Sequence, residues 1–407
     1  MIKASALSYA IVFILLVGLI CSSLIFINAT QKKVEFHYTT DEHLLLDSYS
    51  ALQFGIQTLA PGDSTILVHP FGDSSEVKCI NWGSLTVYST RTYKNKKEKR
   101  RSAVVGLAGK SQIALFLAGN SGGLKIAGET ILEGDIVVPN KQIETAYLSG
   151  KLFTRNKYYS GDLLEQKPQL PELRENVINY DYHTITKDLN AENYLSKDSS
   201  FSFHKKTVYY QSTAAIIIEN ALRGNVIIHS FDSILVTTKA KLDNVILIAP
   251  RIRFETGFKG TVQAIATHGI TLEKNAQLEF PSYLMLTEKS GLLKTTSPTV
   301  TIGEESSVIG GILITTEDYD FRLPPRLKTE NNCTVAGIVY NVGVSELSGN
   351  FIGSVYTKSL LLRYGGGEYS NHLLDVLISS RRIPSGFCYP NWLKNNEKLT
   401  NKLIRWI

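Results

Sequence analysis

The strongest constraint on this chain is an uncharged run near its start. From Ala4 to Gln31 there is no Asp, Glu, Lys or Arg; Lys3 precedes the run and Lys32 and Lys33 follow it. About 20 apolar residues carry a helix across a hydrocarbon core of roughly 30 Å, and the 24 residues from Ala4 to Ile27 meet that need. A secretory signal would instead have about 7 to 15 apolar residues and a small-x-small cleavage site. Here Ile27 stands where such a site, near Asn28-Ala29-Thr30, needs a small residue. The run therefore reads as a retained membrane span. Basic residues flank it on both sides, so the positive-inside tendency leaves orientation open.

The stretch that follows is amphipathic. Leu45, Tyr49, Leu52, Ile56 and Leu59 recur at a 4-3-4-3 spacing that places them on one stripe of a helix, and Pro61-Gly62 ends it. These five residues are expected to make a helix contact, within the protein or with a partner. Lys33 to Thr40 is polar and β-branched, which makes it the place where the helix would break. Unbroken, Ala4 to Leu59 would be one helix of roughly 80 Å.

This N-terminal pattern of an apolar helix with an amphipathic continuation, Asp47-Ser48-Tyr49-Ser50-Ala51-Leu52-Gln53-Phe54-Gly55, resembles the minor pilins and pseudopilins of type IV filament and type II secretion systems. The resemblance covers about the first sixty residues. It implies an anchor in a bacterial inner membrane, a cytoplasmic N-terminus, and an exported body in the periplasm or on an extracellular filament. The chain departs from the family's leader signal: Ala4-Ser5-Ala6-Leu7-Ser8 has neither the Gly nor the acid. It is therefore expected to keep its N-terminal residues.

From about Ser64 the helical period gives way to short β-branched or alternating runs such as Thr65-Ile66-Leu67-Val68 and Ile113-Ala114-Leu115-Phe116-Leu117. A motif of apolar-x-Gly-x-apolar recurs around Gly134, Gly310, Gly337 and Gly353, suited to close backbone approach at corners. In the centre an 18-residue period emerges. Its columns are Ile234, Ile252, Ile270; Val236, Phe254, Leu272; Leu242, Gly260, Leu278; Ile228, Ile246, Ala264; and Ile248, Ala266, Leu284. A fixed period near twenty predicts a parallel β-helix, a solenoid whose rungs bury their core only when stacked; an antiparallel β-sandwich is the alternative. Rungs of this length also resemble bactofilins, the polymer-forming β-helical scaffolds.

The fold class expected is mainly β, one transmembrane helix followed by a solenoid. The division expected is a spanning helix over 1–31, its amphipathic continuation over 32–62, a β-rich first part over 63–154, an excursion over 155–212, the β-helix over 213–364 and a C-terminal cap over 365–407. Within the excursion, Pro171 introduces a candidate helix from Glu172 to Asn179.

Motifs for chemistry are sparse. Lys94, Lys96, Lys97, Lys99, Arg100 and Arg101 form a basic run between two predicted strands. It reads as a solvated hairpin tip, or as a contact to anionic lipid or polymer; no aromatic is interleaved as nucleic-acid binding would want. Cys21 lies in the span, and Cys79, Cys333 and Cys388 are too far apart for a Cys-x-x-Cys motif. One disulfide or three reduced thiols both fit. The eight histidines show no metal-binding spacing. Glu255 and Glu273 are 18 apart and would form a ladder on neighbouring rungs; His229-Ser230-Phe231-Asp232 reads as a turn, and Gly119 to Gly123 and Gly365 to Gly367 as bends.

The expectation is a non-enzymatic, membrane-anchored structural subunit without catalytic residues, metal or cofactor, contacting lipid and protein partners and no nucleic acid. Two alternatives stand. A carbohydrate-binding or carbohydrate-cleaving surface protein would use Tyr158, Tyr159, Tyr180 and Tyr182. A cytoskeletal scaffold would follow from the reverse orientation.

Overall fold

The computed structural model describes the chain except for residues 1, 110–111, 120–121, 156, 166–168, 175–195, 289–295 and 395–399. It is mainly β, with one long N-terminal helix, α1, Ile2–Thr58. The β-branched stretch does not break it. Threonines there return their hydroxyls to carbonyls one turn back, Thr39 to Glu35 at 2.5 Å and Thr40 to Phe36 at 2.6 Å, so the helix absorbs their polar groups internally.

The contacts divide the chain into two compact units: 1–79 with 88–101, and 80–87 with 102–407. Strands β1, Ser64–Val68, β2, Ser74–Trp82, β3, Leu85–Lys94, and β4, Lys97–Ala108, follow the helix as consecutive neighbours in one sheet. The boundary between the units falls within β2, β3 and β4.

In the first unit, β1 and β2 are antiparallel, with Ile66 opposite Glu76. The helix buries Leu44, Ser48, Ala51, Leu52 and Ile56. Gly55 is in this seam, where an added Cβ would lie 2.6 Å from Val77 Cγ1 and 3.6 Å from the Tyr88 ring. The Tyr88 hydroxyl donates to the Leu59 carbonyl at 3.0 Å and closes the helix end. The expected stripe is therefore rotated: Leu52 and Ile56 are inside, Leu59 is half-buried, and Leu45 and Tyr49 are exposed. The small residues Ser48, Ala51 and Gly55 allow close approach, and hydrophobicity alone did not mark them as the inner face.

In the second unit the strands pair predominantly in parallel with strands further along the chain. Ile216 faces Ile234, Ile234 faces Ile252, and Ile252 faces Ile270, each step being 18 residues. Val236, Phe254 and Leu272 are likewise in register, and Gly260 faces Leu278. Two of the expected columns are slipped. Ile228 faces Leu247 rather than Ile246, and Ile248 faces Ile265 rather than Ala266. Asn244, at φ 58, adds a residue to the strand Lys241–Phe254, and the register shifts there. A one-residue slip exchanges faces. Accordingly Val245, Leu247 and Ala249 join the inner core, whereas Ile246 and Ile248 join a second cluster with Tyr283, Tyr340 and Trp392.

The order of pairing departs from the order of the chain. The strand Ile113–Leu117 pairs with Gly349–Tyr364 and with Asp135–Val138, and Asp135–Val138 pairs with Leu163–Glu165. The early strands thus extend the end formed by the late ones. Residues 372–379, expected in a terminal cap, lie within the network: His372–Leu374 pairs with Leu124–Ala127, and Val376–Ser379 pairs with Gly349–Tyr364 and Ile131–Glu133. Cys388–Tyr389 and Thr400–Trp406 pair antiparallel with β4. The described part of the candidate helix at Glu172 is not helical; Leu173 bridges Leu393, and the Arg174 amide donates to the Trp392 carbonyl at 2.8 Å. Its remainder, from 175 to 179, lies outside the described residues.

Candidate functional site: the anchoring helix and the polar groups beside it

Helix α1 is long and apolar enough to cross a membrane, and its apolar window is wholly uncovered. Phe13, Leu15, Ile25 and Phe26 are among the exposed side chains. In water such a surface would be strongly unfavourable at about 25 cal/mol per Å² of apolar area; in a bilayer it is satisfied. Exposed apolar side chains continue past the span, through Phe36 and Tyr38 to Leu45, Leu46, Tyr49 and Phe54.

The basic run forms the tip of the β3–β4 hairpin, where Asn95 adopts φ 53 as a tight turn requires. It is not one uniform patch. Lys97 donates to the His37 carbonyl and to Asp41, both at 3.0 Å, and Lys94 donates to the Phe71 carbonyl. Arg100 and Arg91 each pair with Glu98 at 2.8 Å. Lys96 is exposed, Lys99 and Arg101 are half-buried, and Arg101 has partners of its own. Lys97 holds Asp41 below the usual aspartate range, chiefly through their hydrogen bond, and Arg91 does the same for Glu98.

On the same unit, Asp47 of the helix meets His69 and Asp73 of the β1–β2 loop. One ligand-capable atom from each lies within 4.8 Å of the others. The loop is closed on itself by the His69 amide donating to the Asp73 carbonyl at 2.9 Å. His69 Nδ1 is 3.6 Å from Asp47 Oδ1, and Nε2 is 2.7 Å from Ser75 Oγ, which in turn is 2.6 Å from Thr92 Oγ1. Asp73 is 1% exposed, and neither of its carboxyl oxygens has a hydrogen-bond partner; nor has Asp47 Oδ2. Burial, and then the neighbouring Asp73 carboxyl, push Asp47 above the ordinary aspartate value, with His69 and His43 pulling the other way. Sequence spacing missed this group because its members come from a helix and a loop. His69 and Asp73, four apart around Pro70 and Gly72, were the available signal.

The other motifs resolve into structural roles. Glu255 accepts from the Thr238 amide at 3.1 Å, and Glu273 from Thr256 at 3.0 Å, while Arg253 pairs with Glu273. His229 Nδ1 is 2.6 Å from the Tyr209 hydroxyl, and Ser230 donates to the Ala214 carbonyl at 2.9 Å. Gly365 and Gly366 turn a hairpin in which Tyr364 faces Gly367. The four cysteines are free; Cys79, Cys333 and Cys388 are buried, and burial pushes the Cys333 thiol up to about 11. Tyr158 is exposed and packs on Phe153, Tyr159 packs on the core, and Tyr180 and Tyr182 lie outside the described residues. A groove of about 600 Å³ runs past Glu129, Lys151, Arg155, Asn350 and Asp375, but no aromatic ring lines it.

No family model and no curated protein matches the chain. Among solved structures, the competence-associated pilin ComZ from Thermus thermophilus aligns over 86% of each chain at 9% identity, with a TM-score of 0.26.

Proposed function

We propose that the protein is a non-enzymatic, membrane-anchored structural subunit of a bacterial envelope assembly, similar in plan to a minor pseudopilin, with an exported β-helical body. The observation that carries this reading is the continuity of α1. The uncovered apolar half and the half clamped on the sheet are one helix without a hinge, so the anchor transmits position and force to the sheet it grips. A tethered enzyme would have no need of that coupling. The exposed Leu45, Leu46, Tyr49 and Phe54 extend the apolar surface along the helix and offer a face to other anchored helices.

The β-helical reading of the body is supported by its repeated corners. Gly257, Asn275, Glu305 and Asn332 all have φ between 58 and 78. They are joined in succession by backbone hydrogen bonds: the Gly257 amide donates to the Lys274 carbonyl, that of Asn275 to Glu304, and that of Glu305 to Asn331. The same left-handed turn recurring beside in-register parallel strands is what stacked rungs require. Gly310, Gly337 and Gly353 add a second column, in direct register.

The test uses the full chain in its native membrane. Photocrosslinking residues at Leu45, Leu46 and Phe54 should capture copies of this chain or other proteins with apolar N-terminal helices, while one at Phe321 should not. Polysaccharide cleavage by the intact protein, or equal capture at all four positions, would overturn the reading. Orientation is read separately from a cysteine replacing Lys239, whose side chain is 76% exposed. It should react with a membrane-impermeant thiol reagent once the outer membrane is permeabilised. Reaction only after inner-membrane lysis would place the body in the cytoplasm and favour the scaffold alternative.

A further inference from the structure

We propose that Asp47, His69 and Asp73 bind a divalent first-row transition ion, such as zinc, that staples helix α1 to the β1–β2 loop. This stands apart from the assembly role and does not depend on it.

The first argument is electrostatic. Asp73 is 1% exposed and neither of its carboxyl oxygens accepts from an N–H or hydroxyl donor; what it faces is the Asp47 carboxyl, whose Oδ2 lacks such a donor too. Two adjacent carboxyls cannot both stay ionised out of water without a compensating charge. Among the described residues no Lys or Arg contacts either one, and the basic groups that face them are His69, 3.6 Å from Asp47, and His43. Lys94, which reaches this loop, is directed to the Phe71 carbonyl, and Lys97 to Asp41.

The second argument is the way His69 is held. In the tautomer whose Nε2–H donates to Ser75 Oγ, itself 2.6 Å from Thr92 Oγ1, the ring is held and Nδ1 presents its lone pair to the carboxyls. Metal-ligating histidines are oriented by this kind of outer hydrogen bond. The separation of 3.6 Å between Nδ1 and Asp47 Oδ1 is close to the roughly 3.3 Å between ligand atoms on a tetrahedral ion with bonds of about 2.0–2.1 Å.

The donor set selects the ion. One imidazole nitrogen with two carboxylates suits zinc or a neighbouring transition ion; calcium takes six to eight oxygens, which this group does not offer. The side chains of His69 and Asp47 are 12% and 20% exposed, enough for an ion to enter and for water to complete the coordination.

The experiment uses the full chain in detergent micelles, stripped with a chelator and titrated with zinc against a chromophoric competitor. One zinc per chain is expected, with an unfolding midpoint that rises on loading. Asp73→Asn and His69→Gln should each weaken binding at least tenfold, as loss of a ligand does. Asp73→Asn should also raise the midpoint of the metal-free protein, because it removes one of two crowded carboxyls; a merely structural Asp73 would not do so. Calcium in large excess should not displace zinc. If Asp73→Asn does not fold, Asp47→Asn makes the same test. Absence of stoichiometric zinc, equal binding by the variants, or a midpoint that ignores zinc would overturn the proposal. The last result, with a stabilised Asp73→Asn, would mark the pair as two carboxyls sharing one proton.

Discussion

The two units reach stability by different means. In the first, one helix grips a small sheet along a single seam, with Leu52 and Ile56 buried and Gly55 set close against Val77 and Tyr88. In the second, the same pairing is repeated strand after strand, with Ile216, Ile234, Ile252 and Ile270 repeating one environment. A seam fails wherever it is cut. A run of in-register parallel strands tolerates loss of a side chain in one strand, but not a change in the spacing between strands, because each strand is the template for the next. The difference predicts where each unit is fragile.

The largest effect is expected at the glycine column of the second unit. Gly337 has φ 121, and an added Cβ would meet the Gly310 carbonyl oxygen at 2.0 Å, backbone that no rotamer change can move. Gly337→Ala should cost more than about 3 kcal/mol and give protein that is largely insoluble, since separated levels expose pairing edges. Gly62→Ala, also at positive φ but with open space around it, should cost only about 1 kcal/mol. Urea unfolding of the two variants decides it; equal losses would mean that the spacing of levels is not the constraint.

The seam comes next. Leu52→Ala should cost about 2–5 kcal/mol, because Leu52 is fully buried, while Leu45→Ala, on the exposed side, should stay within about 0.5 kcal/mol. A reporter in the first unit, such as the protection of the Cys79 thiol from a small alkylating reagent, reads this directly. Comparable loss from both substitutions would show that the helix face is assigned wrongly.

These contrasts also explain what could be read from the sequence. The columns through Ile234, Ile252 and Ile270 were legible because a second register shift, between Ala249 and Arg251, restores the 18-residue step before Ile252. Ile246 and Ile248 were misread because one residue, Asn244, shifts register with no change in hydrophobicity. The placement of Ile113–Leu117 against Gly349–Tyr364, and of Ile131–Glu133 against Val376–Ser379, had no local signal at all, since parallel pairing records which strand lies beside which only in three dimensions. On the helix, the outline of a long apolar element was plain. Its inner face was displaced because Ser48, Ala51 and Gly55 pack by being small. The Asp47, His69 and Asp73 group was legible only in its His69 and Asp73 half, because Asp47 joins it only once helix and loop meet.

The smallest effect probes how the second unit joins distant parts of its own chain. Glu133 receives Arg382 through two contacts of 2.7 Å and the Ser379 hydroxyl at 2.7 Å, tying the early strands to the C-terminal region. The Arg382 hydrogen bond, with the others assisting against burial, holds Glu133 below the ordinary glutamate value. A carboxyl depressed in the folded state contributes stability above its unfolded pKa and loses it as pH falls through the folded one. Glu133→Gln should therefore cost about 1 kcal/mol at neutral pH, and the gap from the natural protein should close as pH drops below about 4. Unfolding midpoints measured across that range, followed by tryptophan fluorescence from buried Trp392 in the same unit, test the sign as well as the size. A gap that persists in acid would mean that Glu133 acts through packing rather than charge. The bond between early and late strands would then rest on the parallel ladder alone.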